Sequence, residues 1–208
     1  MLGMLLAVAP AAQATTLTTV ITDQDGRPVM NAVVMLIPES MTAMPKASAR
    51  LDAEKFIDQR NETFIPLVTI VPKGGHIVFA NNDKTTHQVY SFSEAKQFEI
   101  TLAHGEKSSP IVFGTTGVAA LGCNIHDHMI AYAFVTDSPW TGLTSDDGTT
   151  VIDDVPPGNY QAKIWHPKFP PGREAPTLHV SLSGDTARLT AKVRVLSPPI
   201  THKHTGSY

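Results

Sequence analysis

The chain contains one cysteine, Cys123, in the stretch LGCNIHDHM, and His126, His128 and Met129 follow it within six residues. A thiolate, an imidazole and a thioether are soft or borderline ligands, and a trigonal His2Cys set with a weak axial Met is the donor set of a blue-copper electron-transfer centre. Cys123 and His126 are three residues apart, as are His126 and Met129, so one loop can fold them round one ion. The second imidazole must come from a different strand, because so short a loop cannot supply both and still close the site against solvent. His87, in GHIVFANNDKTTHQV, ends a strand-turn segment and is the best candidate. The expected metal ligands are therefore His87, Cys123, His126 and Met129, around one copper ion.

Other chemistries fit these residues less well. Zinc seldom takes Met as a ligand. A Cys/His nucleophile pair would need an orienting or oxyanion-forming group, and none is evident, so no enzymatic role is expected. The plainest alternative is a buried structural Cys123 beside solvated histidines, since a free cysteine often serves as a small hydrophobe.

The elements that must position these ligands read as β-strands. Short β-branched and aromatic segments alternate with Gly, Pro, Asn and Asp clusters, and helical periodicity is scarce. FIPLVTIVP, HIVFANND, HQVYSFS, QFEITL, PIVF, GVAAL and MIAYAFVTD follow in close succession from Thr63, the pattern of a two-sheet sandwich. The strand-like segments Thr16 to Thr22 and Asn31 to Ile37, joined by DQDGRP, read as a hairpin. The polar stretch from Glu39 to Asn61 reads as a linker, or as a short helix around Ala53 to Asp58, with Met41 and Met44 as loop packing.

Composition adds little. A formal net charge of -3 over 208 residues gives no hint of nucleic acid or an acidic membrane surface as partner. MLGMLLAVAPAAQATT reads as an apolar run ending in an Ala12-Gln13-Ala14 cleavage signature, without a basic n-region, and no other apolar stretch is long enough to span a bilayer. A secretory signal over 1–14 and a periplasmic or secreted location follow. A single cysteine in an oxidising compartment has no internal disulfide partner, which leaves it a ligand, a nucleophile, an intermolecular partner or a bystander.

GHIVFANNDKTTHQV followed by Cys123-x-x-His126-x-x-Met129 resembles the cupredoxins, the small blue-copper proteins of the plastocyanin and amicyanin kind, with amicyanin's short ligand loop in particular. LGCNIHDHM and GNYQAKIWHP also resemble bacterial proteins labelled plastocyanin-like or methylamine-utilisation proteins. The resemblance implies an all-β, Greek-key β-sandwich, a type 1 copper ion, and single-electron transfer between a redox protein donor and acceptor near the His126 edge, with Ile125 and Met129 forming part of the contact. Three departures limit it. Gln88 stands where many cupredoxins have Asn, so the hydrogen bond stitching the two ligand loops is open to change. Asp127 and His128 replace a Pro and an aromatic, and His128 is a rival to Met129 as axial ligand.

The flanks resemble a second type of module. TVITDQDGRPVMNAVVMLIP and TSDDGTTVIDDVPPGNYQAKIW are similar to the early and late strands of transthyretin-like or carboxypeptidase-regulatory-like β-sandwiches. The expected organisation is a signal peptide (1–14), a second sandwich built from 15–40 and 139–196, a linker (41–62), an inserted cupredoxin-like copper domain (63–138) and a polar tail (197–208). The competing arrangement places the N-terminal strands in the copper domain's own sheet. His76, His104 and His166 are expected to be non-ligands, His202-Lys203-His204 a polar tail, and Trp140 and Trp165 packing groups. Two other functional classes stay open: a copper-holding or delivery protein, and a metal-free binding or structural module.

Overall fold

The computed structural model describes residues 14–40, 44–170 and 176–196. The signal expected over 1–14, apart from Ala14, lies outside the described residues, as do Met41 and the tail from 197 to 208. Strands dominate the described residues, with a single 3-10 turn at Ala47–Ala49. The fold is all-β, as expected.

In chain order the first strands are β1 (Thr15–Thr22), β2 (Val33–Pro38), β3 (Glu54–Gln59), β4 (Phe64–Ile65), β5 (Val68–Pro72) and β6 (His76–Asn81). They are followed by β7 (His87–Ser93), β8 (Lys96–Leu102), β9 (Ile111–Val112), β10 (Gly117–Cys123) and β11 (Ile130–Thr136). The last are β12 (Thr141–Leu143), β13 (Thr149–Val155), β14 (Gly158–Trp165), β15 (Thr177–Leu182) and β16 (Thr186–Lys192).

The middle of the chain makes one sandwich. A five-stranded sheet in the order β5-β11-β10-β7-β8 packs on a four-stranded sheet in the order β4-β3-β6-β9. Ile57, Phe64, Ile77 and Phe79 from the smaller sheet meet Val71, Val89, Leu121, Ala131 and Val135 from the larger in one buried core. The pairs β5/β11 and β3/β6 are parallel, so each is closed by a crossover and not by a hairpin.

Both ends of the chain make the other sandwich. The order β13-β1-β16 forms one sheet and β12-β2-β14-β15 the other, and Leu17, Ile21, Ile152 and Ala191 pack against Leu36, Tyr160, Ala162 and Leu182. Trp140 is buried in this core, edge-on to Tyr160 at 5.8 Å, and its Nε1 donates to the Asp154 carbonyl. Met44 packs against the same cluster. A third apolar group, Val33, Val68 and Phe134, joins the two sandwiches, and Trp165 packs there 5.6 Å from the rings of both Tyr132 and Phe134.

Two local expectations need correcting. β1 and β2 are not a hairpin: they lie in different sheets. The turn between them starts as one, with Asp23 Oδ1 accepting from the Asp25 and Arg27 amides and a bridge between Thr22 and Pro28. Asn31, at φ 64, then turns the chain away into the opposite sheet, where β2 pairs with β14. The linker over 41–62, with its alternative helix at Ala53 to Asp58, is instead the site of β3, which pairs along its length with β6. That sheet supplies main-chain partners to a segment whose side chains carry a weak β signal.

Candidate metal centre

His87 opens β7 and Cys123 closes β10, and the two strands run antiparallel with Cys123 opposite Val89. The register therefore brings a histidine and a cysteine 36 residues apart to the same end of one sheet. The loop between β10 and β11 carries His126, and the amide of Met129 donates to the His126 carbonyl at 3.0 Å, tightening the loop over that end.

Three ligand atoms converge there. His87 Nδ1 is 3.7 Å from Cys123 Sγ and 3.3 Å from His126 Nδ1, and all three atoms lie within 4.8 Å of one another. His87 and Cys123 are buried, and His126 is partly so. Three donors around a first-row ion at bond lengths of roughly 2.0 to 2.3 Å stand about 3.5 to 3.8 Å apart when trigonal, so the spacing suits such an ion. Met129 is buried in the same cluster as Cys123. His128 is exposed, and its Nε2 faces Glu62 Oε2 at 3.3 Å.

The surrounding residues set the imidazoles. His87 Nε2 lies 3.1 Å from Asp83 Oδ2. With the proton on Nε2 to meet that carboxylate, Nδ1 presents its lone pair to the convergence point, the usual way an outer carboxylate fixes a ligand tautomer. The Glu62 amide donates to Asp83 Oδ2 at 2.6 Å and is the main cause holding the Asp83 carboxyl below its ordinary range; the Lys84 amide and His87 act in the same sense, against partial burial. Asn81, fully buried, donates to the Thr85 and Leu102 carbonyls at 2.8 Å each and accepts from the Asp83 amide at 2.9 Å. It locks the turn that carries Asp83 and His87. His104 Nδ1 approaches the Asp83 carbonyl, so this histidine braces the turn.

The two ligand-bearing segments are stitched together despite the Gln88 departure. The Asn124 amide donates to the Gln88 carbonyl and Asn124 Nδ2 to Gln88 Oε1, both at 3.1 Å, while Gln88 Nε2 reaches Glu99. The longer Gln side chain thus does the stitching with Asn124 as its partner.

On the other flank, Arg60 and Thr63 exchange backbone hydrogen bonds across a two-residue turn joining β3 to β4. Its central residues, Asn61 and Glu62, have φ of 51 and 53. Both signs match a type I′ hairpin turn, in which the second central position is commonly Gly. Glu62 occupies it instead, a conformation costing of order 1–3 kcal/mol for a non-glycine residue. Its carboxylate faces His126 Nε2 at 3.5 Å as well as His128. Glu62 does not stand out by spacing in the sequence; Asn81 and Asp83 sit in the motif that precedes His87, without a signal of their roles.

His76 is 3.8 Å from Glu54, and His166 is buried between the Met30 carbonyl and the Lys168 amide, both away from the ligand group.

Two β-sheets with a histidine at the start of one strand, and a Cys-His-Met loop between the last two strands, make up the middle of the chain. Over this region the described strands form a two-sheet β-sandwich. No protein-family model and no curated protein matches the sequence. Among solved structures, the chain is similar to a purple cupredoxin from Nitrosopumilus maritimus, with 21% identity and a TM-score of 0.36 over 39% of this chain and 99% of that one. It is similar to amicyanin from Paracoccus versutus, with 12% identity and a TM-score of 0.37 over 49% of this chain and 98% of that one. A copper-containing nitrite reductase from Thermus scotoductus SA-01 matches with 22% identity and a TM-score of 0.38, over 48% of this chain but only 25% of its own length. The chemistry of the site rests on the donor geometry and not on these likenesses.

Proposed function

We propose that the chain is a type 1 copper protein that carries single electrons between a protein donor and a protein acceptor. The observation that carries this is the convergence of His87 Nδ1, His126 Nδ1 and Cys123 Sγ within 4.8 Å at a buried sheet end. His87, Cys123 and His126 would hold the copper, with Met129, buried in the same cluster as Cys123, as a weaker fourth donor. Bound there, copper supplies a Cu(II)/Cu(I) couple, and a thiolate with two imidazoles and a thioether suits both oxidation states.

Electrons enter and leave by the His126 side, the least buried of the three donors, where the exposed Ile125 lies beside the ligand loop. Asp127 and His128, also exposed, bias which partners dock there through their charge. The protein is not an enzyme in this reading, since both reactants are electron carriers. It works in the periplasm or outside the cell, and no helix among the described residues is long and apolar enough to cross a membrane. The copper module is an insertion between the two halves of a transthyretin-like or carboxypeptidase-regulatory-like sandwich; separate cores built from the middle and from the two ends of the chain support this.

Titration of metal-free protein with Cu(II), followed by optical and EPR spectra, tests the assignment. One equivalent of copper and an intense visible band are expected. A colourless product would sink the blue-copper reading.

A further inference from the structure

Glu62 breaks a local rule for which the sandwich offers no packing reason. It holds a positive φ of 53 in a two-residue turn where Gly would be unstrained, and it has no apolar side chain to bury. What it gains by sitting there is contact with the metal centre from two directions. Its backbone amide donates to Asp83 Oδ2 at 2.6 Å, and Asp83 in turn meets His87 Nε2 at 3.1 Å. Its carboxylate faces His126 Nε2 at 3.5 Å, with the other oxygen braced toward His128 Nε2 at 3.3 Å. One residue therefore touches the outer nitrogen of one histidine directly and of the other through a single carboxylate. The amide contact would be kept by any residue at position 62 except proline, whereas the carboxylate contact needs this side chain.

We propose that Glu62 is a positioning residue for the metal centre: its carboxylate holds the His126 ring with Nδ1 turned inward and lays a negative charge at the ring edge, favouring the oxidised ion. The proposal rests on the copper reading above. Asp83 does for His87 what Glu62 does for His126, so each imidazole has its own carboxylate, and the hairpin between β3 and β4 is the element that delivers the second. The His126 edge offered to a redox partner is flanked by this carboxylate as well as by the exposed Ile125.

The test compares wild type, Glu62→Gly and Glu62→Gln by Cu(II) affinity in chelator competition, by reduction potential, and by melting of the metal-free protein. Glu62→Gly suits the turn, so its metal-free Tm should be unchanged or higher by up to about 4 °C. Its Cu(II) affinity should nonetheless fall by about 10- to 100-fold, the usual loss when an outer partner of a ligand is removed. The potential should rise by about 59 mV for each tenfold by which Cu(II) binding weakens more than Cu(I) binding. Glu62→Gln, which keeps an acceptor oxygen and loses the charge, should recover most of the affinity while its potential stays above wild type. Wild-type uptake of copper with unchanged affinity and potential in Glu62→Gly overturns this proposal alone, as does an affinity loss matched by a lowered Tm. A wild-type protein that takes up no copper overturns the copper reading and this proposal with it.

Discussion

The Nδ1 atoms of His87 and His126 stand 3.3 Å apart, while the Nε2 atoms of the same rings face Asp83 and Glu62. If both protons sit on Nε2, the two imidazoles present lone pair to lone pair, an arrangement that repels unless a proton or a cation lies between them. Binding of a cation should therefore stabilise the fold. At a hundredfold excess over Kd, mass action contributes about 2.7 kcal/mol, which corresponds to a Tm rise of about 5–10 °C. Differential scanning with and without Cu(II) measures it, and His87→Ala should abolish the shift. An equal shift in that variant would place the copper elsewhere.

Cys123 is buried against Leu121, Met129 and Ala131 in the core of the middle sandwich. Cys123→Ser replaces sulfur by a smaller polar atom at a similar position, so the far-ultraviolet circular dichroism should remain that of a β-protein. The copper-loaded variant should lose the intense visible absorption that depends on the thiolate. Retained colour would rule Cys123 out as a ligand.

Asp83 Oδ2 accepts from the Glu62 amide and meets His87 Nε2, and Oδ1 accepts from the Lys84 amide. Asp83→Ala leaves donors unpaired in a partly buried turn, at about 1–3 kcal/mol in stability. It also frees the His87 ring, so Cu(II) affinity should drop about 10- to 100-fold. Urea denaturation and chelator competition read the two effects separately. A variant with wild-type affinity would show that β7 alone fixes His87.

Much of this was legible in the residues themselves. Cys123, His126 and Met129 are close in sequence, and the turn residues around His87 mark it as a strand start, so the convergence of His87, Cys123 and His126 could be anticipated without coordinates. β3 could not. Along EKFIDQ the apolar Phe56 is exposed while the polar Gln59 is fully buried beside Ile57, so the usual alternation is blurred and the segment looks like a linker. Inside, the Gln59 Nε2 donates to the Ala80 carbonyl, while its Oε1 has no partner among the described residues. Glu62 was hidden by the same misreading, since its role exists only once β3 and β4 are recognised as a hairpin. The β1–β2 error has a different source: the local turn chemistry at Asp23 is that of a hairpin, and it is overridden by burial of β1 and β2 in opposite sheets of one core.

Trp165 extends from the last residue of β14 into the apolar contact between the sandwiches, against Tyr132 and Phe134 of β11. Trp165→Ala removes two aromatic contacts and should cost about 3–5 kcal/mol in coupling and packing. The two cores would then unfold at different temperatures, with copper raising only the transition of the β3–β11 sandwich. Calorimetry resolves this: a single transition in the variant, shifted as a whole by copper, would mean that the cores stay one cooperative unit.

Burial pushes the His166 imidazole below its ordinary 6.5, and the nearby Lys168 charge acts in the same sense, against the Met30 carbonyl. The Lys168 amide donates to Nδ1, and Nε2 donates to the Met30 carbonyl, so the neutral ring is matched at both nitrogens. A second proton would have to go on Nδ1, against an amide N–H. The unfolded chain therefore takes up that proton first. Stability from neutral His166 is complete above the unfolded value and is lost as pH falls through the lower folded one. His166→Gln can keep a donor and an acceptor at the site without titrating, so from about pH 7.5 to about pH 5 wild type should lose more stability than the variant. Denaturant midpoints on metal-free proteins compare the two directly, because every other titrating group is common to both. Parallel pH profiles would mean that the buried ring admits its proton without penalty.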